Sequence, residues 1–219
     1  SNLIPVFSDV IPPDKEMTKL IKKIRAPYKE ECNRIIGQTD TLLYRRGNFN
    51  GTWDDVICDA IMQERDTEIS LSPGFRWGTT LLPGQKITID DVYSQTSMNY
   101  PEVYRVEMTG KMIKEILEDV CDNIFNPDPF FQQGGDMVRV GGLTYTCHPK
   151  NKIGQRISNL RTISKDEPLE YNKKYIVGGW GSVNADVKGP PIYDLLEKYI
   201  SKKKIVKPNN LNTIKILGM

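Results

Sequence analysis

Apolar residues recur along this chain in two rhythms, every three to four positions and every second position, and the alternation between them outlines the elements. The first stretch follows neither rhythm: residues 1–12, SNLIPVFSDVIP, are irregular and broken by prolines, as in a tail or linker. From Asp14 onward Met17, Leu20, Ile21 and Ile24 fall on one side of a helix, with Lys19, Lys22 and Lys23 opposite. Pro27 interrupts that helix, residues 32–36 resume it, and Gly37 closes it. A long, mostly polar helix ahead of a globular core commonly connects two bodies. The pattern therefore divides the chain into a tail and interdomain linker helix, residues 1–36, and a core, residues 37–219.

Within the core, residues 41–46 read as a strand ending in Arg45 and Arg46. Thr52 then caps a helix whose stripe is Trp53, Val56, Ile57, Ala60 and Ile61. EISLS, KITI and VYRVEM are strands, and a short helix opens at Asp90 and Asp91. Thr109 caps a further helix that buries Met112, Ile113, Ile116, Leu117, Val120 and Cys121. Residues 126–142, NPDPFFQQGGDMVRVGG, predict a shaped loop. LTYTCH, RISNLRTI and KYIVGGW are strands, a helix follows Pro190 and Pro191 with Ile192, Leu195, Leu196 and Tyr199 inward, and TIKIL closes the chain. Helices interleaved with short strands predict an α+β fold of mixed β-sheets packed with helices, preceded by the linker helix.

Composition narrows the chemistry. Thirty basic and 28 acidic side chains leave a net charge of +2, which gives no electrostatic case for a nucleic-acid or membrane-surface ligand. No apolar run approaches the roughly 20 residues of a membrane-spanning helix. The Ser-Asn start fits a mature protein and an excised fragment equally. Cys32, Cys58, Cys121 and Cys147 show no CxxC spacing, and buried structural thiols are the expectation, with pairing left to distances. His148 is the one histidine of the chain, too few for a histidine-rich zinc or dinuclear centre. Its neighbour Cys147 would point to the opposite face of a strand, so the two do not make a nucleophile and base.

Two stretches stand out as candidate binding elements. In residues 70–93, SLSPGFRWGTTLLPGQKITIDDVY, Pro-Gly pairs bracket Phe75, Arg76 and Trp77. A guanidinium between two aromatic faces on a constrained loop reads an anion or a planar ligand. The plainer alternative makes Phe75 and Trp77 core plugs and Arg76 a solvated charge. In residues 126–142, the glycine pairs let a ligand approach the backbone, and Gln132 and Gln133 offer amide donors and acceptors. An Ω-loop folded on its own aromatic residues explains the same composition equally well.

DDVICDAI, SPGFRWGTTLLPGQKITIDDVY, EVYRVEMTGKMIKEILEDV and GGDMVRVGGLTY together resemble the C-terminal domain of the 5′-nucleotidase family, and within it the SoxB-type thiosulfohydrolases of sulfur oxidation. The resemblance implies a substrate-recognition domain joined by a helix to a preceding metallophosphoesterase domain. That N-terminal domain would hold two divalent metal ions, manganese by resemblance, with none bound by this chain, which alone would be inactive. It implies Arg76 as the family's loop arginine and Arg45 or Arg46 as a second one. Trp77, Gln133 and Trp180 complete the expected substrate-binding set. The family's base-clamping phenylalanine is replaced by Met137, and the second clamp position falls near residues 180–182 without a clear aromatic equivalent. The implied substrate is a cysteine thiosulfonate on the flexible arm of a sulfur carrier protein, in the periplasm, with sulfate released. The alternatives are the substrate-binding domain of a nucleotide hydrolase and a non-catalytic module that binds the carrier.

Overall fold

The computed structural model describes all residues except 1, 8, 46, 76, 183–187, 209–213 and 219. Helix α1 (Lys15–Arg25) starts at Asp14, whose carboxylate accepts from Met17 N–H at 2.7 Å. A 3₁₀ turn containing Pro27 leads into the short α2 (Lys29–Cys32). There follow β1 (Ile35–Thr39), α3 (Thr52–Arg65), β2 (Ile69–Ser72), β3 (Lys86–Thr88), α4 (Ile89–Thr96), β4 (Tyr104–Thr109) and α5 (Gly110–Phe125). The second half supplies β5 (Arg139–Gly141), β6 (Leu143–Cys147), β7 (Ile157–Thr162), β8 (Glu167–Pro168), β9 (Lys174–Gly179), α6 (Ile192–Lys203), β10 (Ile205–Val206) and β11 (Ile214–Ile216). The strands form three sheets ordered β10-β1-β3, β11-β6-β7-β8 and β4-β9-β2-β5, each mixing parallel and antiparallel pairs, so the fold is α+β as the pattern predicts.

Four local expectations are corrected. Residues 35–39 form a strand instead of continuing the helix, because β1 pairs with β10 on one side and β3 on the other. Gly37 lies beneath α6 there: a Cβ would meet Ile200 Cγ2 at 2.6 Å, so this glycine serves close packing and not a helix end. Residues 41–46 form no strand among the described positions; Leu43 makes one bridge to Leu81. The third correction explains the second. Thr52 does not cap α3, whose N-cap is Gly51; its hydroxyl accepts from Tyr44 N–H at 3.0 Å and donates to Leu42 C=O at 2.6 Å, tying this segment to the helix start. The far end of the expected loop 126–142 is also drawn into a sheet, as β5 beside β2.

The central sheet has two unlike faces, as period-two alternation demands. Ile69, Leu71, Val140 and Val177 belong to one core cluster with Ile113 and Leu117 of α5 and Tyr145 of β6. The opposite face carries small residues: a Cβ on Gly178 would strike Ile61 at 2.5 Å, and one on Gly141 would strike Ser70 Oγ at 2.4 Å and Cys58 Cβ at 2.8 Å. Helix α3 therefore lies close against the sheet and turns Trp53, Val56, Ile57 and Ile61 toward a second core with α6. On α5, Glu118 accepts from Gly154 and Ile157 N–H at 2.8 Å and from Arg156 N–H at 3.2 Å, fixing the approach to β7. The apolar stripe of α1 is different: Met17, Leu20, Ile21 and Ile24 are all about half exposed, and the helix buries no residue.

A buried ion ladder ties these layers together. Asp54, in the first turn of α3, meets Arg45 Nε at 2.7 Å through one oxygen and Arg139 Nε of β5 at 3.2 Å through the other. The second contact is an ion pair without hydrogen-bond alignment. Arg139 also reaches Asp136 at 3.4 Å and donates to Gly47 C=O at 2.6 Å. Burial pushes the Asp54 carboxyl up, against the pull of Arg45 and Arg139. Removing one member of a buried pair strands its partners' charge. Asp54→Ala is expected to lower unfolding free energy by about 3–5 kcal/mol in urea titrations, with Asp54→Asn costing less.

The next residue supplies a pH dependence. Burial pushes the Asp55 carboxyl up from 3.8 to about 7, opposed by the Asn50 amide and assisted by Asp54 and Asp59. Between those values the unfolded chain releases the proton and the folded chain keeps it. The contribution of Asp55 is thus fully present below about pH 4 and is lost as the pH rises to about 7. Asp55→Asn is expected to flatten the fall of stability across that window, measured by urea unfolding at a series of pH values; an unchanged slope would exclude Asp55 as its source.

Candidate functional site

Strands β2 and β9 run parallel side by side, with Ile69 opposite Val177 and Leu71 opposite Gly179, so their carboxyl ends open on the same edge. Two loops leave there: Pro73, Gly74 and Phe75 after β2, and Trp180, Gly181 and Ser182 after β9. Antiparallel neighbours bring two more segments to this edge, since Arg139 pairs with Ser72 and Tyr104 with Gly179. Such an edge, beyond the ends of adjacent parallel strands, is a general position for ligand sites in open sheets. Here it holds a cleft of about 510 Å³.

One wall of the cleft is apolar and built from two elements, Val106 and Met108 of β4 and Ile116 and Val120 of α5. Trp180, Gly181 and Ser182 form one side, while Gly74, Asp136 and Val138 form the other. The aromatic residues are fixed by contact with one another. Trp180 donates its indole N–H to Ser72 Oγ at 2.8 Å, and its ring meets Phe75 edge-on at a centroid distance of 6.2 Å. Phe75 stacks on Trp77 at 3.8 Å with planes 17° apart, and the Arg45 guanidinium lies 5.4 Å from the Phe75 ring. Arg45 also donates to Pro73 C=O at 2.9 Å and to Gln95 C=O at 2.7 Å, which couples the loop after β2 to the end of α4.

The expected substrate-binding residues are distributed unevenly around this edge. Trp180 lines the cleft and is 3% exposed, a wall held rigidly in place. Trp77 stands at the surface, 41% exposed, backed by Phe75. Arg45 is buried in the ion ladder and acts on the loop's shape, with its charge already matched by Asp54. Gln133 is exposed and is not among the cleft-lining residues. Arg46 and Arg76 lie outside the described residues. Met137, at the expected clamp position, is wholly buried in the core between α5 and the central sheet.

The sequence pattern gives Tyr104, Asp136, Ile116 and Val120 no place in a site, while Ser182 falls at the edge of the expected clamp position near residues 180–182. Tyr104 faces inward because Gly179 leaves room: a Cβ there would meet the Tyr104 hydroxyl at 2.2 Å. The amphipathic pattern of α5 does name Ile116 and Val120, but as core. The strand register that carries Tyr104 to the cleft has no local signal, and Asp136 arrives on the irregular segment before β5. Elsewhere, His148 Nε2 lies 3.2 Å from Ser158 Oγ, while Cys147 points to Cys121, so the adjacent pair does part as strand geometry requires. No group of three or more His, Cys, Asp or Glu side chains able to hold a metal occurs among the described residues. The described residues therefore offer no donor set for a metal pair. No described helix is long and apolar enough to cross a membrane.

Comparison with known proteins agrees with the architecture. The family described as 5′-nucleotidase, C-terminal domain, matches residues 35–181. Among solved structures, the sulfate thiohydrolase SoxB of Thermus thermophilus, in complex with glycerol, is 32% identical with a TM-score of 0.90, covering 99% of this chain and 41% of its own. A 5′-nucleotidase precursor, also of Thermus thermophilus, is 17% identical with a TM-score of 0.77, covering 96% of this chain and 45% of its own. The NAD nucleotidase of Haemophilus influenzae is 18% identical with a TM-score of 0.67, covering 93% of this chain and 41% of its own. A search of the curated proteins gave no match. The chain thus spans less than half the length of these structural relatives. On the family match and the SoxB identity together, the chain belongs to the 5′-nucleotidase C-terminal domain family.

Proposed function

We propose that this chain is the substrate-recognition domain of a SoxB-type thiosulfohydrolase, acting in the periplasm on a cysteine thiosulfonate carried by the flexible arm of a sulfur carrier protein. The observation that carries the reading is the closed aromatic stack. Phe75 and Trp77 touch at 3.8 Å, and Trp180 presents its edge to Phe75, 76° from parallel. A nucleobase sandwiched between two rings needs them parallel and a ring's thickness apart on both sides. Neither pair meets that requirement, and the position where the nucleotidases carry a clamping phenylalanine is the buried Met137. The 32% identity to a sulfate thiohydrolase over 99% of the chain, against 17% and 18% to two nucleotidases, supports the same reading.

The cleft suits a peptide arm better than a base. Its apolar wall of Val106, Met108, Ile116 and Val120 takes aliphatic and backbone surface, and Gly74 and Gly181 at its mouth carry no side chains to block an extended chain. Arg76, which stands between Phe75 and Trp77 in the sequence, is the residue this reading assigns to charge-assisted hydrogen bonds to sulfonate oxygens. In the reaction, water would add to the terminal sulfonate sulfur of Cys–S–S–SO3− and the bond from that sulfur to the sulfane sulfur would break, so that sulfate leaves and the carrier cysteine keeps the sulfane sulfur as a persulfide, Cys–S–SH. Two divalent metal ions, manganese by family resemblance, would be held by a metallophosphoesterase domain of the same protein and would supply the activation of that water.

Calorimetric titration tests the substrate class. Adenosine and AMP are expected to show no saturable binding at micromolar concentration, whereas a peptide bearing S-sulfocysteine is expected to bind. Saturable AMP binding without peptide binding would assign the chain to the nucleotidases instead. In the enzyme that includes the metallophosphoesterase domain, Arg76→Ala is expected to lower turnover of carrier-bound thiosulfonate by about 10²-fold with the fold intact by circular dichroism. Unchanged kinetics would remove Arg76 from the site.

A further inference from the structure

The core between α5 and the sheets contains two thiols in contact. Cys121, on the inward face of α5 with Ile113 and Leu117, and Cys147, the last residue of β6, place their sulfur atoms 3.5 Å apart, and neither side chain is exposed to solvent. They stand on separate elements of the same core, among apolar side chains and with the buried charges of Glu118 and Arg156 nearby. Cys58 lies in the α3 layer and Cys32 at the end of α2, so among the described residues these two are the cysteines placed for pairing.

We propose that Cys121 and Cys147 are a disulfide site, closed as the chain folds in an oxidising compartment, which staples α5 to β6. The bond length of a disulfide is about 2.05 Å, so closure asks each sulfur to move by under an ångström, within the reach of a small χ1 adjustment. The oxidant is a thiol–disulfide exchange partner, R–S–S–R. One cysteine thiolate attacks it, expelling R–SH and leaving a mixed disulfide; the second cysteine displaces the other R–SH. Two electrons pass to the donor and two protons end on its thiols. Burial sets the timing. An exchange partner reaches these sulfurs only before α5 has docked, and the finished bridge is then shielded from reductants. Because Val120 precedes Cys121 and lines the cleft together with Ile116, the staple holds the cleft's apolar wall against the neighbouring sheet. This inference is independent of which substrate the cleft accepts.

The bridge would close a loop spanning 26 residues. By the chain-entropy estimate, a loop of that size raises the melting temperature of a chain of this length by about 7–14 °C. The test refolds the purified protein from denaturant in a glutathione redox buffer, traps free thiols by alkylation under denaturing conditions, and maps peptides by mass without reduction. The expected result is a Cys121–Cys147 cross-linked peptide with Cys32 and Cys58 alkylated. The melting temperature is expected to fall by the stated amount when the same protein is refolded with excess reductant. Cys32→Ala is expected to leave both results unchanged, and Cys121→Ala to abolish the cross-link. Alkylation of all four cysteines after oxidative refolding, or a cross-link involving Cys32 or Cys58, would overturn the proposal. So would equal melting temperatures for the oxidised and reduced forms.

Discussion

The carboxylate of Asp54, held between the guanidinium groups of Arg45 and Arg139, is the contact on which the binding edge depends. Each of its partners makes further bonds to a different segment. Arg45 reaches Pro73 and Gln95, and Arg139 reaches Gly47 and Asp136. One buried negative charge thus fixes the loop after β2, the end of α4, the irregular segment before α3 and the start of β5. A buried ion pair contributes little net stability against an apolar replacement, but it specifies geometry, because desolvated charges tolerate few alternative arrangements. Shape at the cleft is what this ladder supplies.

That division of labour bears on how charge is used near the cleft. Arg45 is matched by Asp54 and spends its remaining donors on carbonyl groups, so its positive charge is internal to the fold. The aromatic residues follow the same logic: Phe75 is packed against Trp77 and near Arg45, and Trp180 is tethered to Ser72, which leaves rigid walls in place of a hinged clamp.

Much of the architecture was legible in the sequence because it is local. The stripe of α3, the Thr109 cap of α5 and the strands EISLS and KYIVGGW follow from periodicity and are found at those positions; the inward face of α5 is found too, except that Met112 at its start is 46% exposed. What failed was non-local. Residues 35–39 became a strand because β10 and β3 flank them, and residues 41–46 lost theirs because Thr52 and Asp54 engage the segment's backbone and Arg45. The candidate site divides the same way. The loop carrying Phe75 and Trp77 announces itself by its Pro-Gly punctuation. Tyr104 reaches the cleft through strand register, and the internal role of Arg45 depends on a carboxylate nine positions away that periodicity reads as the polar start of a helix.

The glycine and serine paving beneath α3 has a further consequence. Where Gly141 and Gly178 face the helix, a single methyl group would collide with Cys58 or Ile61, so the spacing between helix and sheet is set by atoms the chain lacks. Asp54 rides on that helix and Arg139 on that sheet. The tolerance of the binding edge to sequence drift is therefore governed less by the residues that touch a ligand than by a floor of minimal side chains on the far side of the sheet, where enlargement by one carbon would be transmitted as a displacement of the whole ladder.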